Sequence, residues 1–316
     1  MNLSQIPSVI RDTIIDIMDI KIQGATNVAI ATLDALKKWA IEHKTDVTRS
    51  EFISKFQLFS ALLSHARPNE PLSKNAVKYI DSMLKLRYAR ENSIAKLKEA
   101  IVILSTEFLH IIDDAKTNII SKNLKHIKDF DTIFTHCHSS TSEILIIHAN
   151  KERTRRVITS ETRPRLQGRI TAKHLVEAGL ETTMIVDSAI PSFIKENDLY
   201  NIDVVLLGAD QITVYGDAIN KVGSFGIGLA CYYASKPLYI VTPSLKMDMS
   251  TLYKPLRIEM REACEVWEDA PKGLKIINPS FDIVPRQFIA GYLTEFGLVR
   301  AEDLANRVRR EYDWII

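Results

Sequence analysis

In THCHSS, residues 135–140, a cysteine stands between two histidines directly after the apolar run DTIF. Cys137 could be a reactive thiol, a metal ligand, or a small apolar residue packed under a turn. Metal binding is not expected. His136 and His138 flank the cysteine without completing a ligand set, and neither Cys-x-x-Cys nor His-x-x-x-His occurs in the chain. A thiol placed where a strand ends and a helix begins would feel amide dipoles that favour thiolate. Asp210 closes VVLLGAD, another apolar run. It is either a turn cap or the acid/base partner of the thiol, and burial would raise its carboxyl toward working pH. Asn220 and Lys221 precede the small-residue helix VGSFGIGLACYYA, whose first amides together with Lys221 would suit an anion. Gly223, Gly226 and Gly228 lack the strand-to-turn placement of a dinucleotide fingerprint, so close helix packing is their expected role. Arg163, Arg165 and Arg169 crowd SETRPRLQGR, as a solvated basic loop or as forked guanidinium groups for phosphate or carboxylate. Lys246, in TPSLKMD, is a surface lysine or a second anion contact.

These residues need a scaffold that gathers them. DTIFTHC, RRVITSE, TTMIVDSA, DVVLLGAD and PLYIVTPS are short β-branched runs, separated by helix-like stretches such as STSEILIIHANKE and ITAKHLVEAG. Apolar strands alternating with helices imply a parallel sheet covered on both faces. In such a sheet ligands collect beyond the carboxyl ends of the strands. THCHSS, SETRPRLQGR, DSAIPS, GADQITVYGDAINK and TPSLKMD are therefore expected as five loops on one edge. Before residue 127 the pattern differs. Ile14, Ile17 and Met18, then Ala29, Ile30, Leu33 and Leu36, recur at three- and four-residue spacing. Breaks are expected at KIQGATN, around Gly24, and at ARPNEPLSKN, residues 66–75. The expected architecture is an all-helical domain over 1–127 followed by a Rossmann-like α/β domain over 128–316.

Bulk composition narrows the class. The 316 residues are 46% hydrophobic and 25% charged, with a net charge of +2, ordinary for a globular chain and unlike a basic nucleic-acid binder. Cys137, Cys231 and Cys264 are widely spaced, which implies no disulfide framework and a reducing compartment. The charged amino terminus is not a signal peptide and no run reaches a membrane span, so a cytoplasmic protein with no membrane partner is expected.

Taken together, THCHS, SETRPRLQGRITAKHLVEAG, IVDSA, GADQITVYGDAINKVG and NPSFDIVPRQFI resemble the family of translation initiation factor 2B regulatory subunits and aldose-1-phosphate isomerases. KIQGATN and ARPNEPLSKNAVKYI extend the resemblance into the helical half. It implies a sheet domain of the NagB/RpiA/CoA-transferase-like kind and no cofactor. The isomerase branch uses a cysteine in the THC motif and an aspartate in GAD, which here are Cys137 and Asp210. Gly24, Ala25, Arg67, Ser139, Asn220, Lys221 and Lys246 would bind substrate. The motifs are most similar to the branch that converts ribose 1,5-bisphosphate to ribulose 1,5-bisphosphate in archaeal AMP degradation. Two positions depart from that branch: Gln23 stands where it has arginine, and Ser140 where it has lysine. Either departure removes a phosphate-holding charge and would suit a substrate with one phosphate. The resemblance also implies a homo-oligomer, a dimer or hexamer. The family's other branch is non-catalytic, so a regulatory subunit partnering initiation factor subunits, or a sugar-phosphate or nucleotide sensor, is the alternative.

Overall fold

Leu206 and Leu207 in one strand and Ile133 and Phe134 in the next have no exposed surface, so the strands that carry the expected site run through the middle of a sheet. The computed structural model describes residues 6–151, 153, 155–195 and 200–316. Seven strands form the main sheet: β1 (Thr132–Thr135), β2 (Arg156–Ser160), β3 (Glu181–Ile185), β4 (Val204–Leu207), β7 (Leu238–Val241), β10 (Gly291–Thr294) and β11 (Gly297–Val299). Their order is β11-β10-β7-β4-β1-β2-β3, parallel throughout except for the antiparallel edge strand β11. All five expected strands are present, and the fold is α/β with helical elements alone up to β1 among the described residues.

Strand order determines where chemistry can occur. From β1 the chain steps outward through β2 to β3, then returns to place β4 on the other side of β1. The β1 and β4 carboxyl ends therefore open a crevice where the winding reverses, the usual ligand position in such sheets. Beneath it the core packs Ile133, Val204 and Leu206 against Leu145 and Ile146 of α6 (Ser140–Asn150) and Leu175 of α7 (Gly168–Glu177). Arg155, just before β2, is 1% exposed yet satisfied. Its guanidinium donates to the carbonyls of Phe130 (3.0 Å), Lys128 (2.7 Å) and Ala149. Fixed carbonyl dipoles thus replace the water a buried cation would need.

GADQITVYGDAINK departs from the expected loop. It folds into a hairpin of β5 (Gln211–Thr213) and β6 (Ala218–Lys221), extended by β9 (Phe281–Val284) and β8 (Met247–Asp248) into a second sheet ordered β8-β5-β6-β9. Strands of two to four residues are too short to display an alternation. Between this hairpin and β7 lies α9 (Ser224–Ala234).

Close contacts divide the chain into two units: 1–114 with 245–247 and 308–316, and 115–244 with 248–307. The division falls inside the long helix α5 (Ile94–Ile127), whereas the sequence pattern changes at the end of that helix. The first unit holds α1 (Ser8–Met18), α2 (Ala25–Glu42), α3 (Arg49–Ser64) and α4 (Pro71–Arg87). Trp39 stacks on Phe52 with centroids 5.3 Å apart and meets Phe59 edge-on at the same distance. The loop expected over 66–75 ends earlier, because Pro71 opens α4. Proline is suited to that first helical position, where its missing N–H has no partner to lose. No helix among the described residues is long and apolar enough to cross a membrane.

Candidate active site

Cys137 occupies the turn between β1 and α6 with φ of +66°, a left-handed backbone that residues with a Cβ seldom adopt. The turn after the neighbouring strand holds it there. The Cys137 amide donates to Thr162 Oγ1 at 3.0 Å, and Thr171 Oγ1 donates to the Cys137 carbonyl at 3.0 Å. The thiol lies 3.7 Å from Gln167 Oε1. Thr162 is fixed in turn by Asp187, beyond β3, whose carboxylate accepts from the amides of Thr162 (2.8 Å) and Arg163 (2.6 Å). Three adjacent strand ends thus secure one strained residue.

His136 is 2% exposed and serves as a tie. Its Nε2–H donates to the Val222 carbonyl at 2.9 Å, which leaves Nδ1 to accept from the Ser160 hydroxyl at 2.5 Å. Burial lowers its pKa and favours this neutral ring.

Asp210 follows β4, and its amide donates to the Ile219 carbonyl at 2.8 Å. It is half-buried. Burial pushes the Cys137 thiol up to about 11; the charges of Asp210 and Asp187 act in the same sense, and Lys221 and the His138 amide oppose them. Asp210 and Lys221 thus both act electrostatically on the Cys137 thiol, with opposite signs. The expectation that helix dipoles would favour thiolate needs correcting: Cys137 is only 7% exposed, and desolvation of the anion outweighs the dipoles.

Gly208 lets the two turns approach. A Cβ built there would lie 2.6 Å from Ser139 Oγ and 2.7 Å from Ser139 Cβ. Ser139 cannot retreat cheaply, because its Oγ caps α6 by accepting from the Ser142 amide at 3.3 Å. Gly208→Ala is therefore expected to destabilise the protein by about 1–3 kcal/mol, the usual cost of overpacking. Urea unfolding would report it as a lower midpoint at unchanged slope; an unaltered midpoint would mean the turns are loosely packed.

The anion-binding expectation for α9 also changes. Asp282 Oδ2 already accepts from the amides of Gly223 (2.7 Å) and Phe225 (3.1 Å), so these donors are occupied. Asn220 is buried and donates to Ser224 Oγ at 2.9 Å, and the Lys221 ammonium lies 5.0 Å from the centre of the Phe281 ring. The arginines of SETRPRLQGR are likewise engaged. Arg163 donates to the Val266 carbonyl (2.7 Å), Arg165 pairs with Glu265 (2.9 Å), and Arg169 reaches Glu161 at 3.5 Å. Gly24, Ala25, Arg67 and Lys246 belong to the first unit. Gly24, with φ of +85°, precedes α2, and Ala25 is its first residue. Arg67 is buried in an ion pair with Glu70. Lys246 stands between two carbonyls, of Leu245 and Met247, that accept from Asn75 Nδ2 at 2.7 and 2.8 Å.

The second unit therefore joins a strained, buried thiol, a carboxylate and an ammonium at the sheet's switch point, a set able to move protons on a small anion. Thr162, Gln167, Thr171 and Asp187, which hold this arrangement, were not among the expected functional residues. Thr162, Gln167 and Asp187 carried one signal, their place in loops expected at the strands' carboxyl ends; Thr171, inside α7, carried none.

Residues 21–301 match the Initiation factor 2 subunit family. The ribose 1,5-bisphosphate isomerase of Methanocaldococcus jannaschii is 35% identical over 311 residues, covering 97% of this chain and 96% of that protein. The 5-deoxyribose 1-phosphate isomerase of Clostridium botulinum strain Kyoto is 32% identical, covering 90% of this chain and 84% of its own length. The crystal structure of the Pyrococcus horikoshii OT3 translation initiation factor eIF-2B superposes with a TM-score of 0.77 at 23% identity, over 93% of this chain and 98% of that one.

Proposed function

This chain belongs to the initiation factor 2 subunit family, and within it we propose that it is an aldose–ketose isomerase converting ribose 1,5-bisphosphate to ribulose 1,5-bisphosphate. The observation that carries the proposal is the placement of Cys137 after β1 and Asp210 after β4, paired strands whose carboxyl ends flank the switch point. The similarity to named sugar-phosphate isomerases over nearly the full chain supports the substrate class.

An aldose 1-phosphate cannot open to its aldehyde, because phosphate esterifies the anomeric oxygen. The ring C1–O bond must instead break as hydrogen moves between carbons. In the proposed reaction the C2 proton passes to Cys137 sulfur while Asp210 delivers a proton to the departing ring oxygen. The C1–C2 enol then collapses: Cys137 returns its proton to C1, and the C2 hydroxyl proton goes back to Asp210 as the ketone forms. The residue pair carries one proton throughout, alternating between sulfur and carboxylate. Burial raises the Cys137 thiol, so the reaction sequence begins once its proton has passed to the Asp210 carboxylate, and Lys221 is the main influence favouring the thiolate that results. Ser139, Asn220 and Lys221 are assigned to substrate on the same side as the pair, and Gly24, Ala25, Arg67 and Lys246 to substrate by family resemblance.

A second reading concerns the number of phosphates. Ser140, the first residue of α6, and Gln23 are uncharged at the two positions where the family resemblance implies cations. A 5-deoxyribose 1-phosphate has no oxygen at C5 and so bears one phosphate. Purified protein incubated with each sugar phosphate and followed by phosphorus NMR separates the readings. A ketose 1,5-bisphosphate formed from ribose 1,5-bisphosphate is the expected result. Turnover confined to the 5-deoxy sugar would transfer the assignment, and inertness toward both would overturn the enzyme proposal.

A further inference from the structure

Next to Cys137 in the chain, the side chain of His138 converges with those of Glu143 and His174. One ligand atom from each lies within 4.8 Å of the other two. From this cluster we propose a binding site for a divalent transition-metal ion of the zinc class, independent of the isomerase reading. Glu143 lies in the first turn of α6 and His174 in the last turn of α7. Glu143 is 8% exposed. Its Oε1 accepts from His174 Nδ1 at 3.0 Å, but Oε2 has no hydrogen-bond donor, although His138 Nδ1 lies 3.4 Å away. A buried carboxylate oxygen with no donor, 3.4 Å from one imidazole while its twin oxygen meets the other, is the second observation pointing to a cation. Buried acceptors are nearly always paired, with protein, water or an ion.

The donor set selects the kind of ion. Two imidazole nitrogens and one carboxylate oxygen suit zinc, cobalt or nickel and leave one tetrahedral position open; calcium and magnesium prefer oxygen alone. The ligand atoms must close by roughly an ångström to reach ordinary coordination lengths near 2.0–2.2 Å. His174 is 42% exposed at its side chain, which leaves it room to move and gives an ion a route in. Thr171 Oγ1 lies 3.0 Å from His138 Nδ1 and gives its own proton to the Cys137 carbonyl, so an ion held by His138 Nε2 leaves Nδ1–H on Thr171, the outer partner that commonly orients a metal-bound imidazole. Because Thr171 also donates to the Cys137 carbonyl, an ion here would brace the thiol's turn without touching it.

The test titrates full-length, chelator-treated protein with CoCl2, reading visible d–d absorption and bound metal per chain, then displaces the cobalt with ZnCl2. One equivalent, displaced by zinc, is expected for the native chain. His174→Ala, at a half-exposed position, and Glu143→Gln, which keeps its shape, are each expected to weaken binding at least tenfold. Their unfolding temperatures should match the native chain without metal, and zinc should raise only that of the native chain. Absence of stoichiometric cobalt in the native protein would overturn the site, as would equal affinity in all three. Neither result bears on isomerase turnover, which is measured separately with chelator present.

Discussion

Replacing Cys137 with serine is expected to lower turnover of the sugar 1-phosphate by about 100- to 10,000-fold, the range that one acid/base group supplies. The exchange isolates chemistry from shape. The contacts that hold the turn use the residue's amide and carbonyl, with Thr162 and Thr171, and serine retains both. Its Cβ meets the same left-handed backbone, so the strain at φ of +66° is unchanged. What is lost is acidity. The thiol stands at about 11 in its buried pocket, whereas a hydroxyl there would ionise far less readily. Steady-state kinetics beside a thermal melt decide the matter. A variant that keeps both its melting temperature and its kcat would remove Cys137 from the reaction.

Asp210→Asn should reduce kcat over a similar range and, at the same time, make Cys137 easier to alkylate. The second effect follows from sign. The Asp210 charge destabilises the thiolate and helps hold the pKa near 11, so a neutral amide allows it to fall. At a fixed mildly alkaline pH, with chelator present, the variant should react faster with iodoacetamide at Cys137. The exposed Cys264 serves as an internal reference in the same sample. Asparagine preserves the backbone bond from residue 210 to Ile219. A merely misfolded variant would open the buried Cys231 along with Cys137 and melt early. Lost turnover with unchanged Cys137 reactivity would show that the two groups are not electrostatically coupled, and the proton-sharing scheme would fail.

Several features were legible in the chain because they depend on neighbours a few residues away. VVLL is apolar at every position and TIFT at its two central ones, and strands β1 and β4 are buried at all four positions of each. Burial on both faces removes the alternation of a half-exposed strand and leaves an unbroken apolar run, which is why the parallel sheet and its loop edge could be anticipated. Helix ends were partly legible for the same reason: the break expected at Gly24 precedes α2, whereas the loop expected over 66–75 ran past Pro71, which opens α4. The β5–β6 hairpin was not, since its strands span three and four residues within a polar stretch.

The amino-acid sequence alone determined the class of fold, the helical first half and the candidacy of Cys137 and Asp210, because local burial patterns and strand-end positions depend on short-range order. Only tertiary structure decided which groups meet. It set β4 beside β1, gave the amides of α9 to Asp282, gave the basic loop's arginines to carboxylates and a carbonyl, and brought His174 to His138 and Glu143. Those pairings follow from strand order and from desolvation in the folded interior, and no short window of sequence contains either.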